Sequence, residues 1–466
     1  MDTKKLRQKI LDLAIHGKLV PQDPNDEPAF VLLERIRAEK ERLIKEGKIK
    51  RSKKSASDTP HYENEVPFEV PESWEWCIID DIAESNIGLT YKPSDISNDG
   101  VPVYRSNNIQ NRSICLDDVV RVDTQILEKQ YLHESDLLIC ARNGSRNLVG
   151  KCALISNLSE PTTFGAFMAV CRSSYNKWIF LLLNSDYFNA YLDDSNSTAI
   201  NQVTQKMLLA FQMPFPPANE QDRIYNEVCK WFSVIDSLEI EERELKLSIE
   251  KAKSKILDLA IHGKLVPQDS NDEPAIELLR RINPSFVPCD NAHKRNHIPN
   301  SWIWCTLQDS FDITMGSSPT GDTLNRDNHG IEFHQGKVFF SDRYIQPSDI
   351  YTTQPVKLAE PQSILLCVRA PVGTVNITDR QICIGRGLCS LKPSKIIDLQ
   401  YAYYVLQTCS EEFEQKATGS TFKAVGGDVV KKQTIPLPPY NEQQRIVNKI
   451  EELFAVLDEI QKSIEA

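Results

Sequence analysis

Two stretches of the chain carry apolar residues in the alternating four-and-three spacing of a helix that packs along another helix. The first series is broken only at Glu242, and its apolar positions are Ile224, Val228, Trp231, Ile235, Leu238, Leu245, Ile249, Ala252, Ile256 and Leu259. The second series consists of Ile446, Ile450, Leu453, Leu457, Ile460 and Ile464. Heptads sustained in this way predict two long α-helices.

A helix end with its following turn occurs twice in the sequence. KILDLAIHGKLVPQDPNDEPA begins at Lys9, and the same stretch returns at Lys255 with one residue changed. His16 and Gly17 fit the last turn of a helix, with the glycine in a left-handed conformation just beyond it. A histidine at the carboxyl end of a helix is favoured by the helix dipole, so the pattern does not require a catalytic or metal-binding role.

Two further motifs are repeated with the same neighbours on either side. PESWEWC at Pro71 corresponds to PNSWIWC at Pro299, and MPFPPANEQDRI at Met213 corresponds to IPLPPYNEQQRI at Ile435. The chain is therefore a tandem of two units with similar ends and dissimilar middles.

The beginning of the chain fits as the continuation of its last helix. Leu6, Ile10 and Leu13 prolong the apolar series that stops at Ile464. We expect a circular arrangement of two equal units, in which two antiparallel helices of about 55 Å, at 1.5 Å per residue, form a spacer. The same heptads also fit two independent coiled-coil arms used for homodimerisation.

The dissimilar middles, residues 78–212 and 306–434, combine strand-like and helical patterns. Short apolar runs at 136–142 and 363–371 predict strands, whereas 177–192 and 398–413 have helical patterns. The predicted fold class is α+β, with two similar mixed α/β domains separated by two long antiparallel heptad helices in a circular, pseudo-twofold arrangement.

Composition excludes several classes of protein. With 41% hydrophobic and 26% charged residues, the chain is too apolar to be largely disordered. No apolar run reaches the roughly 18 residues of a membrane span, and the charged first segment does not resemble a signal peptide, so we expect a cytoplasmic protein without a membrane partner. None of the 12 cysteines falls in a C-x-x-C pair, which favours buried free thiols over a metal site or disulfides.

The sequence lacks the usual motifs of catalysis. It contains no Walker phosphate loop, no H-E-x-x-H and no G-x-S-x-G. LPPY at 437–440 is similar to the motif with which amino-methyltransferases hold their target amine, but Leu437 stands where a hydrogen-bond acceptor is needed. We therefore interpret LPPY as part of the repeat boundary, and we expect no catalytic residue.

Two variable domains that each end in P-[FL]-P-P-x-x-E-Q, followed by a heptad helix and an A-x-x-G-x-L segment, resemble the specificity subunit of type I restriction-modification systems. The resemblance implies a non-catalytic subunit that recognises a bipartite DNA target, one half-site per target recognition domain, with a gap set by the spacer helices. It implies two partner modification subunits, which are N6-adenine methyltransferases using S-adenosylmethionine, and ATP- and Mg-dependent restriction subunits that translocate DNA. No cofactor is expected in this chain. A self-contained DNA methyltransferase and a coiled-coil scaffold without DNA remain the alternatives.

The resemblance divides the chain into five segments. Residues 1–60 complete the carboxy-terminal spacer helix and include a basic linker, 61–212 and 299–434 are the two recognition domains, 213–298 hold the central spacer helix and turn, and 435–466 form the carboxy-terminal spacer helix. The basic run at 45–54 could contact phosphate or act only as a solvated linker.

Candidate DNA contacts are polar side chains in the variable loops, whose donors and acceptors match base edges and phosphates. In the first domain they are Tyr91, Lys92, Arg105, Asn107, Asn108, Arg142, Asn143, Ser145 and Arg146; in the second they are Ser317, Ser318, Gln335, Lys337, Arg369, Thr374, Arg386, Ser420, Thr421 and Lys423. Arg142 and Arg369 are the leading candidates, because each follows a predicted buried strand that can orient a guanidinium group.

Overall fold

A computed structural model describes residues 2–47, 66–195, 202–288, 298–419 and 423–465. The chain divides into two compact units, Met1–Glu241 and Glu242–Ala466, and the boundary lies within one long helix. Both units mix helices and strands, as the sequence predicts. Most of the basic run at 45–54 lies outside the described residues.

The first unit contains seven α-helices among the described residues. They are α1 (Thr3–Ile15), α2 (Ala29–Lys45), α3 (Ile79–Ile82), α4 (Asn176–Leu183), α5 (Asp186–Ser195), α6 (Gln205–Leu209) and α7 (Ala218–Ile261), which continues into the second unit. Its strands are β1 (Glu75–Ile78), β2 (Glu84–Ile87), β3 (Ile96–Tyr104), β4 (Ile109–Gln110), β5 (Ser113–Ile114), β6 (Val120–Val122), β7 (Leu137–Cys140), β8 (Cys152–Leu154), β9 (Thr163–Phe164), β10 (Met168–Arg172) and β11 (Gln212–Phe215).

The two larger sheets of the first unit are formed by strands that lie between its boundary motifs in the sequence. One is an antiparallel sheet in the order β2-β10-β7-β8, and the other has the order β6-β3-β9 with β3 and β9 parallel. Strand β1 of the PESWEWC motif pairs with β11 of the MPFPP motif, with Cys77 opposite Met213. The two boundary motifs therefore close the domain by pairing with each other. The core gathers apolar residues of α1, α4 and α7 around the fully buried Trp178.

The second unit repeats this plan. Its remaining helices are α8 (Ala275–Ile282), α9 (Leu307–Ser310), α10 (Leu399–Thr408), α11 (Ser410–Lys416), α12 (Gly427–Lys431) and α13 (Tyr440–Glu465). Its strands are β12 (Ile303–Thr306), β13 (Phe311–Met315), β14 (Leu324–Asn325), β15 (Ile331–His334), β16 (Tyr351–Thr352), β17 (Leu358–Ala359), β18 (Ser363–Cys367), β19 (Val375–Thr378), β20 (Ile382–Ile384), β21 (Leu388–Pro393) and β22 (Thr434–Leu437).

The sheets of the second unit correspond to those of the first. The order β13-β21-β18-β19 matches β2-β10-β7-β8, and a five-stranded sheet, β14-β16-β15-β20-β17, contains the parallel pair β15 and β20. Strands β12 and β22 again join the two boundary motifs, with Cys305 opposite Ile435. LPPY thus contributes the end of a strand and the start of α13, in agreement with its interpretation as a boundary.

The three repeated motifs meet at a buried glutamate in each unit. In the first unit Glu220, which is 1% exposed, accepts hydrogen bonds from Trp74 Nε1 at 3.0 Å and from Gln22 Nε2 at 2.6 Å. In the second unit Glu442 accepts from Trp302 and Gln268 in the same way. Burial raises the pKa of both carboxyl groups, although the bonds from tryptophan and glutamine act in the opposite direction.

The helix ends follow the sequence prediction. Helix α1 stops at Ile15, and Gly17 adopts a φ of +66°. A Cβ at Gly17 would lie 2.4 Å from Pro71 Cγ, so the close approach of the PESWEWC motif also requires glycine. Gly263 has the equivalent conformation and the equivalent proline neighbour.

Helix α7 has 44 residues, which corresponds to about 66 Å at 1.5 Å per residue. Within the first unit, Arg7 bonds to Glu239 whereas the later Gln22 bonds to Glu220, so α1 runs antiparallel to α7. Within the second unit, Lys246 pairs with Glu465 at 3.3 Å and Lys253 pairs with Asp458, so α13 is also antiparallel to α7. The continuation of the apolar series from Ile464 to Leu6 stays a prediction.

The predicted heptad series is buried only in part. Ile224, Val228 and Ile235 are buried, but Trp231, Leu238 and Leu245 are 44%, 40% and 41% exposed. Phe232 is buried instead of Trp231, because the first half of α7 packs one face against its own unit with the spacing of a single amphipathic helix.

The described residues contain eleven of the twelve cysteines, and nine of these eleven are buried, as the sequence predicts. None of the eleven is in a disulfide. No cluster of potential metal ligands occurs among the residues that the structure describes. None of the described helices is long and apolar enough to cross a membrane.

Candidate nucleic-acid interface

Backbone hydrogen bonds bring several polar loops of the first domain together. The chain leaves strand β7 at Cys140, and the amides of Ala141 and Arg142 then donate to the carbonyl of Phe167 at 2.9 and 3.0 Å. Gly165 N donates to Tyr104 O at 3.0 Å, which places the following segment 105–108 beside the turn at 165–167. The segment after β7 and the loop after β3 are also linked directly, by a bond of 3.2 Å from Asn143 Nδ2 to Ser106 Oγ.

The second domain assembles its loops with the same bonds. Val368 N donates to Gly387 O at 2.9 Å, and Gly385 N donates to His334 O at 2.8 Å. Arg386 N lies 3.5 Å from Ser318 Oγ, and Ala370 N donates to Lys423 O at 3.2 Å. Loops that are far apart in sequence, at 317–318, 335–337, 369–374, 385–387 and 423–425, therefore meet at one end of the sheets.

Arg142 and Arg369 occupy equivalent positions in these frameworks. Arg142 forms an isolated β-bridge with Gln202, and Arg369 forms one with Ala424. Both side chains are exposed, and neither forms a salt bridge among the described residues. Each follows a strand that is buried along its whole length, as the sequence predicts.

The second domain presents more unpaired positive charge than the first. Its exposed cations at the loop cluster are Lys337, Arg369, Arg386 and Lys423, and no salt bridge to any of them occurs within the described ranges. In the first domain, Arg105 pairs with Asp118 at 3.2 Å and Arg146 with Asp193 at 2.5 Å. Internal pairing lowers the capacity of these two arginines to hold phosphate.

Some predicted contacts serve the fold of the loops. Asn108 is 1% exposed, accepts from Arg105 N and donates to the carbonyls of Cys115 and Asp118, so we exclude it from the candidate interface. The amide of Asn108 holds a 3-10 turn from within, so burial separates it from the exposed candidates. Asn143 Oδ1 accepts from Ser145 N at 3.0 Å, which stabilises the loop after β7 from within.

The remaining candidates differ in exposure. Those that are exposed are Lys92, Asn107, Ser145, Gln335 and Lys337, although Asn107 donates to Asp118. Those that are half-buried are Tyr91, Ser317, Ser318 and Thr374. Tyr91 packs against the small apolar cluster of Leu89. Ser420 and Thr421 lie outside the described residues, as does most of the corresponding loop of the first domain.

Phe167 was missed in the sequence. Its side chain is 62% exposed, and the guanidinium carbon of Arg142 lies 5.7 Å from the centre of its ring. Phe167 lies in GAFMAV, a continuous run of small and apolar residues, and this pattern does not indicate an exposed side chain. Comparison of GAF with GRG, the two short segments that separate corresponding strands in the repeats, would have singled it out.

A family model for the type I restriction modification DNA specificity domain matches residues 71–251 and 299–466. The chain belongs to this family. The two matched ranges contain the variable middles of both units, all of α13 and most of α7, so the tandem repeat found in the sequence is a repeat of the family's domain.

Sequence similarity to known specificity subunits extends over most of the chain. The EcoAI specificity subunit from Escherichia coli is 27% identical, with 98% of this chain and 90% of the relative covered. The putative MjaX specificity subunit from Methanocaldococcus jannaschii is 27% identical, with 84% of this chain and 89% of the relative covered.

Solved structures show the same fold. A chain from a study of complex assembly and conformational transition of the type I R-M system aligns with a TM-score of 0.61 at 23% identity, covering 86% of this chain and 94% of its own. The HsdS subunit from Thermoanaerobacter tengcongensis aligns with a TM-score of 0.50 at 23% identity, covering 85% and 93%. The predictions of a specificity subunit and of its fold are confirmed. The chain is thus the DNA-recognition component of a restriction-modification system and not one of its catalytic subunits.

Proposed function

We propose that this specificity subunit recognises a bipartite DNA target, with one half-site bound by each recognition domain. The observation that carries the proposal is the duplicated loop framework. The same backbone bonds position Arg142 and Arg369, but the side chains around the two arginines differ. Equivalent surfaces with different side chains are suited to two different base sequences, because base edges are discriminated by the donors and acceptors placed against them.

The spacer helices supply the second part of the proposal. In each unit an antiparallel helix pair is held by ion pairs, those of Arg7 with Asp236 and Glu239 in the first and of Lys253 with Asp458 in the second. We propose that these helices fix the number of unspecified base pairs between the half-sites. The division into five segments and the circular closure of the two units belong to the same proposal.

Membership of the family supports a proposal about partner subunits. We propose that the chain recruits two modification subunits, which bind S-adenosylmethionine and methylate adenine, and restriction subunits that use ATP and Mg. DNA-binding surfaces are usually basic, whereas this chain has a net charge of −11. We therefore propose that the partner subunits supply much of the phosphate binding and that the isolated chain has weak affinity for DNA.

The proposal is tested by mapping methylated adenines. The chain is co-expressed with its genomic methyltransferase neighbour, and modified bases are located by single-molecule sequencing. A split motif that changes in one half when one recognition domain is replaced supports the proposal. Methylation by this chain alone would favour a self-contained methyltransferase, and an unchanged motif without the chain would favour a scaffold role.

A further inference from the structure

The turn between β9 and β10 and the turn between β20 and β21 are the same structural element with different side chains. In the first domain Gly165 N donates to Tyr104 O, and Met168 N returns to Gly165 O at 2.8 Å. In the second domain Gly385 N donates to His334 O, and Leu388 N returns to Gly385 O at 3.0 Å. The turn of the first domain thus contains Ala166 and Phe167, and the turn of the second contains Arg386 and Gly387.

Both turns are held against the segment that carries the leading arginine of their domain. The carbonyl of Phe167 accepts from the amides of Ala141 and Arg142, and the carbonyl of Gly387 accepts from the amide of Val368, which precedes Arg369. A rigid, doubly anchored turn can present one side chain to a groove with little loss of conformational entropy.

The side chains presented by the two turns have opposite chemistry. Phe167 is 62% exposed and lies beside Arg142, so the first domain offers an aromatic ring next to a cation. Arg386 is exposed and has no salt-bridge partner among the described residues, so the second domain offers a guanidinium group on a turn that is bonded to the segment carrying Arg369. A Cβ at Gly387 would lie 2.2 Å from Gln335 O, so the second turn excludes an aromatic residue at the position of Phe167.

We propose that this turn determines specificity, with Phe167 contacting the 5-methyl group of a thymine in one half-site and Arg386 donating to O6 and N7 of a guanine in the other. Apolar contact with the thymine methyl group and bidentate donation to guanine are the ways in which these side chains distinguish bases in the major groove. This inference rests on the proposed function and deepens it, because it assigns a base type to each domain.

The test uses the chain in complex with its modification subunit and synthetic duplexes of the mapped motif. Each thymine is replaced in turn by deoxyuridine, which removes only the methyl group, and each guanine by 7-deazaguanine, which removes only N7. Binding is measured by fluorescence anisotropy at fixed salt for the wild type and for Phe167→Ala and Arg386→Ala. Phe30→Ala, on the exposed face of α2, and Arg280→Ala, on α8, are the matched controls.

In the wild type, one deoxyuridine in one half-site should weaken binding about fourfold, the value of one buried methyl group. One 7-deazaguanine in the other half-site should weaken binding by about tenfold. Phe167→Ala should become insensitive to that deoxyuridine alone, and Arg386→Ala to that 7-deazaguanine alone. Both controls should bind every duplex as the wild type does.

Three results would overturn the inference while leaving a bipartite motif, and thus the proposed function, intact. The first is a Phe167→Ala variant that keeps the wild-type response to every deoxyuridine, as expected if the ring stacks without reading a methyl group. The second is an Arg386→Ala variant that weakens all duplexes equally, as expected of a phosphate contact. The third is a half-site of the second domain that contains no guanine on either strand. Loss of the bipartite motif itself would instead reject the proposed function.

Discussion

The two tryptophans of PNSWIWC should differ sharply in their contribution to stability, although they are separated by a single residue. Trp302 Nε1 donates to Glu442 Oε2 at 2.9 Å, and Glu442 is 1% exposed. Trp304 Nε1 is buried and has no hydrogen-bond partner among the described atoms. Trp302→Phe and Trp304→Phe therefore make the same chemical change, but only the first removes a hydrogen bond.

The expected magnitude follows from what each change leaves behind. Trp302→Phe deprives a buried carboxylate of one of its donors, which costs about 1–3 kcal/mol beyond the loss of apolar area. Trp304→Phe removes a donor that had no partner, so only the loss of area remains. Since 1 kcal/mol corresponds to about 2–4 °C in a domain of 150–250 residues, a difference of about 2 kcal/mol would separate the two melting temperatures by about 4–8 °C.

The loss of stability in Trp302→Phe should depend on pH. Burial raises the pKa of Glu442 above its ordinary value of 4.5. A carboxyl with a raised folded-state pKa contributes stability that is present below the unfolded pKa and is lost as the pH rises through the folded pKa. The donor from Trp302 opposes this loss, because it stabilises the carboxylate. The destabilisation by Trp302→Phe should therefore grow as the pH rises from about 4 to about 7.5, because the ionised fraction of this carboxyl increases with pH.

The assay is thermal unfolding of the full chain, followed by circular dichroism so that the signal does not depend on tryptophan fluorescence. Both variants and the wild type are compared at the two pH values. Equal shifts for the two variants, or a shift for Trp302→Phe that does not grow with pH, would refute the view that the bond to Glu442 stabilises this junction.

Three other predictions concern the helices and their ends. Seven residues inserted between Glu239 and Lys246 lengthen α7 by about 10 Å, so methylation mapping should show a gap changed by about three base pairs, or no recognition, with unaltered half-sites. Arg7 holds the pKa of Glu239 at about 2, a stabilisation that is lost as the pH falls from about 4.5 through 2, so Arg7→Met should flatten the acid limb of a pH–melting curve. Gly263→Ala should lower stability by more than about 1 kcal/mol in urea unfolding, because a Cβ there lies 2.3 Å from Pro299 Cγ at a φ of +64°.

Local patterns were sufficient to predict the elements and their duplication. The apolar runs at 136–142 and 363–371 became β7 and β18, and the pattern at 398–413 became α10 and α11. These predictions succeed because strands and helices are determined largely by the spacing of apolar residues within one window. The repeated motifs likewise revealed that the chain contains two units.

Contacts between distant windows could not be predicted in the same way. Nothing near Glu220 indicates that its carboxylate is buried between Trp74 and Gln22, which are remote in sequence. Asn108 and Arg105 both have the polarity of a DNA contact, but the first is buried and the second is paired with Asp118. Polarity shows that a side chain needs a partner, and only the fold decides whether that partner is internal.

The division between repeated and dissimilar segments has a physical reason. The bonds that join the three repeated motifs depend on particular side chains, Trp302, Gln268 and Glu442 in the second unit, so substitution of any one leaves a buried polar group unsatisfied. The bonds that join the variable loops run almost wholly between backbone atoms, such as Val368 N to Gly387 O, and they tolerate different side chains. A loop framework of this kind can change its side chains, and hence the bases it recognises, without weakening the junction that holds the domain. Replacement of Phe167 or of Arg386 should therefore alter specificity with little change in melting temperature. Gly387 itself cannot be replaced in this way, because a Cβ there would lie 2.2 Å from Gln335 O.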